Sequence, residues 1–327
     1  MTSTPLGIAR AIATAGINPT RGLLRPLRAA AVSGVQGTIG RPSDAELDRY
    51  RAPLGDPGLF GPDSLVWRLH GDLPVMLIGG FSALMLQTLH PLAMAGVSEH
   101  SRYREDPLGR LQRTAEYVAG TSFGGMPLVE TLVRRVKAVH TTVRGTAPDG
   151  RPYSADDADL TTWVHTTEMW SILRSYQRYS LNPLLAEEKD RYLDEVAVLG
   201  ELLGGREIPR SVAEVRAYFT RVKPELAATE EALGALAFLR TPFGTSLREA
   251  AAHRVISEAA VELLPAFAKR LFGTRVHNPI LTGVLPGGGP LATRATALGA
   301  AALIRWASGP SLARAAASER VSTSRAA

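Results

Sequence analysis

Apolar residues along this chain recur mostly at three- and four-residue spacing, the period of one face of an α-helix, and alternating strand patterns are essentially absent. The pattern predicts helices over about Leu185–Leu203, Ser211–Val222, Glu225–Leu239, Ser246–Phe272 and Leu291–Trp306, and a longer one carrying Trp163, Val164, His165, Trp170, Ile172 and Leu173. Asn182-Pro183 ends that longer helix, and Ser154 to Asp157 reads as a capping box at its start. Residues 147–150 (APDG) form a turn, and 284–290 (VLPGGGP) a loop or hinge. From Leu73 to Val97 there is no charged side chain, which meets the length rule for a membrane span. Pro74, Gly79, Gly80, Gln87, His90 and Pro91 interrupt it, so it reads as a core helix that Pro91 kinks or ends near His90. A buried His90 then needs a partner. The fold expected is all-α: a single large helical bundle domain with a buried cofactor pocket, spanning residues 44–307. A frayed Ala-, Ser- and Arg-rich tail follows over 308–327.

Two helical stretches carry candidate chemistry. In 106–117 (DPLGRLQRTAEY), Arg110, Arg113, Thr114 and Tyr117 fall at i, i+3, i+4 and i+7 and place two guanidiniums and two hydroxyls on one face. In the second, Leu132, Val136, Val139, His140 and Val143 make an apolar stripe that contains an imidazole, with Arg144 one turn on. A histidine aimed into a core beside cationic groups suits a buried anionic cofactor; the plainer reading is a core histidine bonded to a carbonyl. The same plain reading applies to His90 and to His165, which shares a helix face with Glu168, Met169, Ile172 and Tyr176. Arg110 has a structural alternative, pairing with Glu105 or Asp106. Trp67, Arg68 and His70 read as a helix and its capping turn, and His100, His253 and His277 as surface residues.

Composition narrows the chemistry. The 327 residues contain no cysteine, which removes disulfides, thiolate ligands and iron–sulfur clusters and leaves His, Asp and Glu as metal ligands. The net charge of +6 is uneven: residues 1–43 hold Arg10, Arg21, Arg25, Arg28 and Arg41 and no acid. That segment is either a poorly ordered basic arm or an amphipathic helix in peripheral contact with an anionic membrane. No apolar run follows a basic start as in a secretory signal, so the chain is expected to be cytoplasmic, with any membrane attachment peripheral. No nucleic-acid motif and no Gly-rich phosphate loop after a strand is present, so no nucleic-acid partner and no dinucleotide fold is expected.

Five segments in order resemble the bacterial DUF2236 group, related to the latex-clearing rubber oxygenases and the fungal MpaB oxygenase. They are 79–91 (GGFSALMLQTLHP), 106–114 (DPLGRLQRT), 139–145 (VHTTVRG), 150–156 (GRPYSAD) and 163–165 (WVH), within about residues 60–270. The resemblance implies a helical bundle around haem b. His140, which opens H-x-x-x-R, would be the proximal iron ligand and Arg144 its companion. Arg110, Arg113 and Thr114 would match the rubber enzymes' distal R-x-x-K-T as catalytic residues, with Tyr117, His90 and His165 lining the cofactor. The fourth residue of that motif is a lysine able to ligate iron in the rubber enzymes; here it is Arg113, whose guanidinium stays protonated and is a poor ligand. This departure counts against rubber as the substrate. The distal carboxylate base has its nearest candidate in Glu99. The implied activity is O2-dependent oxidation or cleavage of an apolar, isoprenoid-like substrate. Two alternatives stay open: a non-haem iron oxygenase using His90, His140, His165 and Glu168, and a non-catalytic helical carrier or sensor of haem or lipid.

Overall fold

The computed structural model describes residues 42–243, 246–273, 290–309 and 311–322. The basic segment before residue 42, the 284–289 loop and His277 lie outside them. The described residues form fourteen α-helices: α1 (Asp44–Arg51), α2 (Leu65–His70), α3 (Leu73–Gln87), α4 (Pro91–His100), α5 (Pro107–Phe123), α6 (Met126–His140), α7 (Ala158–Tyr179), α8 (Ala186–Leu202), α9 (Val212–Val222), α10 (Glu230–Arg240), α11 (Leu247–Leu263), α12 (Ala266–Phe272), α13 (Pro290–Ser308) and α14 (Leu312–Ser322). Between α6 and α7 a hairpin of two three-residue strands, β1 (Arg144–Thr146) and β2 (Pro152–Ser154), pairs antiparallel with Gly145 opposite Tyr153. The fold is all-α as expected. The hairpin is an addition, closed by the predicted turn, where Gly150 has φ +87°.

The core is built on the crossing of α3 and α7. Gly79 makes it possible: a Cβ there would lie 2.9 Å from the Ile172 Cα, backbone against backbone. Val75, Ile78, Phe81, Met85 and Leu86 of α3 pack with Trp163, Met169, Ile172, Leu173 and Tyr176 of α7, all buried. The indole of Trp163 donates to the Gln87 carbonyl (3.2 Å) and the Gln87 amide to the Val164 carbonyl (3.2 Å), so the end of α3 is pinned to α7. The uncharged stretch is thus two helices, α3 and α4, bent by 105° where His90 and Pro91 break the ladder. Among the described residues no single helix is long and apolar enough to cross a membrane; this bent pair meets that test by length and composition only.

Three expectations are corrected. The N-cap of α7 is Asp157, which accepts from the Asp159 and Leu160 amides, whereas Ser154 donates to Asp156. Within the segment expected to fray, Leu312–Ser322 is a helix, α14, packed on α1. Its Arg320 is wholly buried and donates to the Tyr50 and Asp56 carbonyls, each at 2.7 Å. The helix expected over Ser246–Phe272 is divided into α11 and α12, with Pro265 at the break.

Candidate functional site

Helices α5 and α6 are joined through Gly124 and Gly125 and approach closely beside that turn, where a Cβ on Gly120 would run into the Leu132 side chain. Arg110, Arg113 and Thr114 lie near the start of α5 and His140 at the end of α6, and among the described residues no hydrogen bond or ion pair joins the two sets. Asp106 caps α5 through the Gly109 amide (3.0 Å) and takes an ion pair from Arg113 (3.1 Å). Arg113 and Thr114 are exposed, and the Thr114 hydroxyl donates to the Arg110 carbonyl (3.0 Å). Arg110 is partly buried and turns the other way, donating to the Ser101 hydroxyl and lying 6.0 Å from the Tyr103 ring centroid; it pairs with neither Glu105 nor Asp106. Burial lowers its pKa, with Arg113 adding to the effect and Tyr103 opposing it. Tyr117, one turn beyond Thr114, carries the face inward: its hydroxyl is sealed from solvent with no hydrogen-bond partner.

His140 is half-buried, and among the described residues neither ring nitrogen has a hydrogen-bond partner. Burial lowers its pKa, with Asp156 opposing. The apolar stripe around it is narrower than the spacing predicts, because Val139 is 53% exposed. Arg144 is not one turn further along the same helix. The helix ends at His140 with Thr141 as C-cap, and Arg144 begins β1 with its side chain in solvent, bonded to the Thr141 carbonyl and 4.0 Å from Asp156. Glu99, at the end of α4, accepts from the Tyr153 hydroxyl and lies 4.0 Å from the His100 ring; it is a half-exposed group beside the hairpin. Burial and this contact push the Tyr153 phenol up to about 12.

His90 and His165 lie deeper. His90 is buried as N-cap of α4, with Nε2 3.5 Å from Glu225, its ring 6.0 Å from that of Trp163, and Nδ1 without a partner. His165 is buried on α7 against Gly200, hydrogen-bonded to the Val196 backbone, and its Nε2 is orphaned and sealed. Burial pushes it down to about 4, so the ring is neutral at pH 7. One turn on, Glu168 has no hydrogen bond or ion pair among the described residues, and burial alone pushes its carboxyl up to about 7. Its surface is not fully sealed, so the carboxyl borders open space while protein surrounds it on the other sides.

The structure does not gather His90, His140, His165 and Glu168: among the described residues no three His, Asp or Glu side chains converge as ligands of one ion, which removes the geometric basis for a non-haem triad. Sequence reasoning missed a buried network. His70 is not part of a simple capping turn but bonds Ser122 through Nδ1 (2.6 Å) and Tyr192 through Nε2 (3.0 Å), with burial holding it near pKa 3. His253, expected at the surface, is buried and bonded to the Leu239 carbonyl (2.9 Å). The described clefts of about 220 and 420 Å³ lie elsewhere, beside Arg68 and Arg305 and beside Phe60 and Arg191, and contain none of the predicted residues.

Fold and side chains together define a helical protein with polar, partner-free groups set into and around an apolar core. The chain belongs to the family described as ER-bound oxygenase mpaB/B'/Rubber oxygenase, catalytic domain, whose profile matches residues 67–285. That membership makes it an oxygenase-type oxidoreductase. No curated protein and no solved structure matches it.

Proposed function

We propose that this chain is a haem b-dependent oxygenase that uses O2 to oxidise or cleave an apolar, isoprenoid-like substrate. The observation that supports it best is the half-buried His140 ring, whose two nitrogens have no hydrogen-bond partner among the described residues, in a chain that belongs to the oxygenase family. The donor set fits a haem: one neutral imidazole would be enough to hold it, whereas a non-haem centre would need a convergent triad. The unpaired Tyr117 hydroxyl and His165 Nε2 also mark polar groups whose hydrogen bonds the protein alone does not complete. When bound, haem supplies the iron-centred redox chemistry that dioxygen requires.

The chain's own residues have distinct parts in this reading. His140 is the iron ligand, kept neutral by burial. Arg110, Arg113 and Arg144, held here by Ser101, Asp106 and the Thr141 carbonyl, are the cations that would answer an anionic cofactor, and Arg113 cannot replace the ligating lysine of the rubber enzymes. Thr114 adds a hydroxyl on the same face. His90 and His165 support the interior. The plain test is the absorption spectrum of the purified chain: a Soret band supports haem, and iron without one contradicts it. In the same reading the protein is cytoplasmic, with residues 1–43 making any peripheral contact with an anionic membrane. High salt then releases it and deletion of 1–43 leaves it unbound; extraction by detergent alone contradicts this.

A further inference from the structure

A cleft of about 220 Å³ opens where the turn between α2 and α3 meets α7, α13 and α14, and Arg68, Gly71, Asp72, Tyr176, Arg305 and Arg314 line it. None of these residues has a part in the oxygenase reading. Two of the arginines are fully engaged. Arg68 donates from each guanidinium nitrogen, to the Tyr176 hydroxyl (2.8 Å), to Glu188 (3.0 Å) and to the Asn182 carbonyl (2.9 Å). Arg305 donates to both Asp72 oxygens (3.0 Å each) and to the Tyr179 carbonyl (2.9 Å), while Asp72 also caps α3 through the Val75 amide (3.5 Å). These contacts fix the walls and occupy both acids.

Two donors are left over. The Arg314 guanidinium, only partly exposed, has no hydrogen bond or ion pair among the described residues. The buried Tyr176 hydroxyl uses its oxygen to accept from Arg68, and its proton meets no acceptor among the described residues. Arg314 enters the cleft because residue 71 has no side chain: a Cβ on Gly71 would lie 2.8 Å from both Cδ and Nη1 of Arg314. The φ of Gly71, −75°, suits any residue, so the close approach is what asks for glycine there. Three guanidiniums stand against the carboxylates of Asp72 and Glu188, which leaves one positive charge uncompensated beside a phenol donor. The complement of such a pair is a group that only accepts and is negatively charged. Size narrows it further, because a cleft below the roughly 300–1,000 Å³ of sites that enclose a whole small molecule takes one charged group. We propose that this cleft binds a single oxyanion, the phosphate or carboxylate group of a small molecule or of a lipid head, held by Arg314 and Tyr176. With Arg314 on α14 and Tyr176 on α7, the bound anion fastens the C-terminal helix to the core, with or without haem.

Isothermal titration and thermal melts of the full chain at fixed ionic strength test this, with inorganic phosphate and acetate compared against chloride. Phosphate or acetate is expected to bind and to raise Tm where chloride does not. Arg314→Gln and Tyr176→Phe are each expected to weaken binding about tenfold or more. Gly71→Ala keeps every charge and is expected to weaken it as well, by displacing Arg314. Arg134→Gln removes the same charge at an exposed position of α6 and is expected to leave binding unchanged. Circular dichroism checks folding, and Tyr176→Phe, which keeps the ring, carries the test if another variant does not fold. Phosphatidylcholine vesicles with and without phosphatidic acid separate the two sources. Arg314-dependent capture of the phosphatidic acid vesicles puts the anion on a lipid head; binding of free phosphate or acetate without it puts the anion on a soluble molecule. The proposal is overturned if neither free anion binds better than chloride, if Arg314→Gln and Tyr176→Phe bind like the unaltered chain, or if Arg134→Gln weakens binding as much as Arg314→Gln does.

Discussion

Replacing Glu168 with Gln should change how stability depends on pH. Burial raises this carboxyl from 4.5 to about 7 in the folded chain. A group whose folded pKa is raised contributes stability that is fully present below its unfolded pKa and is lost as pH rises through the folded one. Below about pH 4.5 the carboxyl is protonated in both states; above 7 the folded protein must hold an unpaired buried carboxylate. The difference of about 2.5 pK units corresponds to about 3 kcal/mol, an upper figure because one side of the carboxyl meets open space. For a chain of this size that is on the order of 4 °C in Tm. Gln keeps the shape and never ionises. Thermal melts of both proteins from pH 5 to 9 should therefore coincide at the acid end and diverge through neutrality, the variant ending the more stable. Parallel curves across that range, or a variant less stable at pH 9, would show that Glu168 is solvated or paired and that the interior argument is mistaken.

Other substitutions probe the frame that holds the site. Gly79→Val puts a branched side chain against the Ile172 backbone and should cost about 1–3 kcal/mol or more in denaturant unfolding; an unchanged midpoint means the α3–α7 crossing is looser than it looks. Arg320→Ala strands the Tyr50 and Asp56 carbonyls in the interior and should cost about 2–4 kcal/mol, whereas a surface-like effect below about 0.5 kcal/mol contradicts the docking of α14.

Helix type and order were largely legible because apolar spacing survives in most segments, and the break near His90 followed from proline chemistry. What stayed hidden has physical causes. In α14 the buried face is Ala313, Ala316, Ala317 and Arg320; alanine gives little hydropathic contrast and a buried arginine inverts it, so the segment reads as a polar tail. The strands are three residues long, too short for alternation to register. The site was visible as residue types but not as directions: Arg113 and Thr114 turn to solvent, Arg110 to Ser101, and Arg144 leaves the helix because the chain turns at Thr141. The Ser122–His70–Tyr192 chain joins three helices, and no local spacing encodes such a meeting. Glu168 stands on a face with His165, yet the lack of any hydrogen-bond partner for its carboxyl among the described residues is a fact of packing alone.

In the proposed function His140 is the residue through which this chain would hold a haem iron. The most direct measurement is haem content and the Soret spectrum of His140→Ala beside the unaltered chain, with far-UV circular dichroism and added imidazole. The variant should keep its helicity, lose most of its haem, and regain a histidine-like spectrum when imidazole is supplied. Full haem retention with an unchanged ligand spectrum would contradict the claim and move the iron to another side chain.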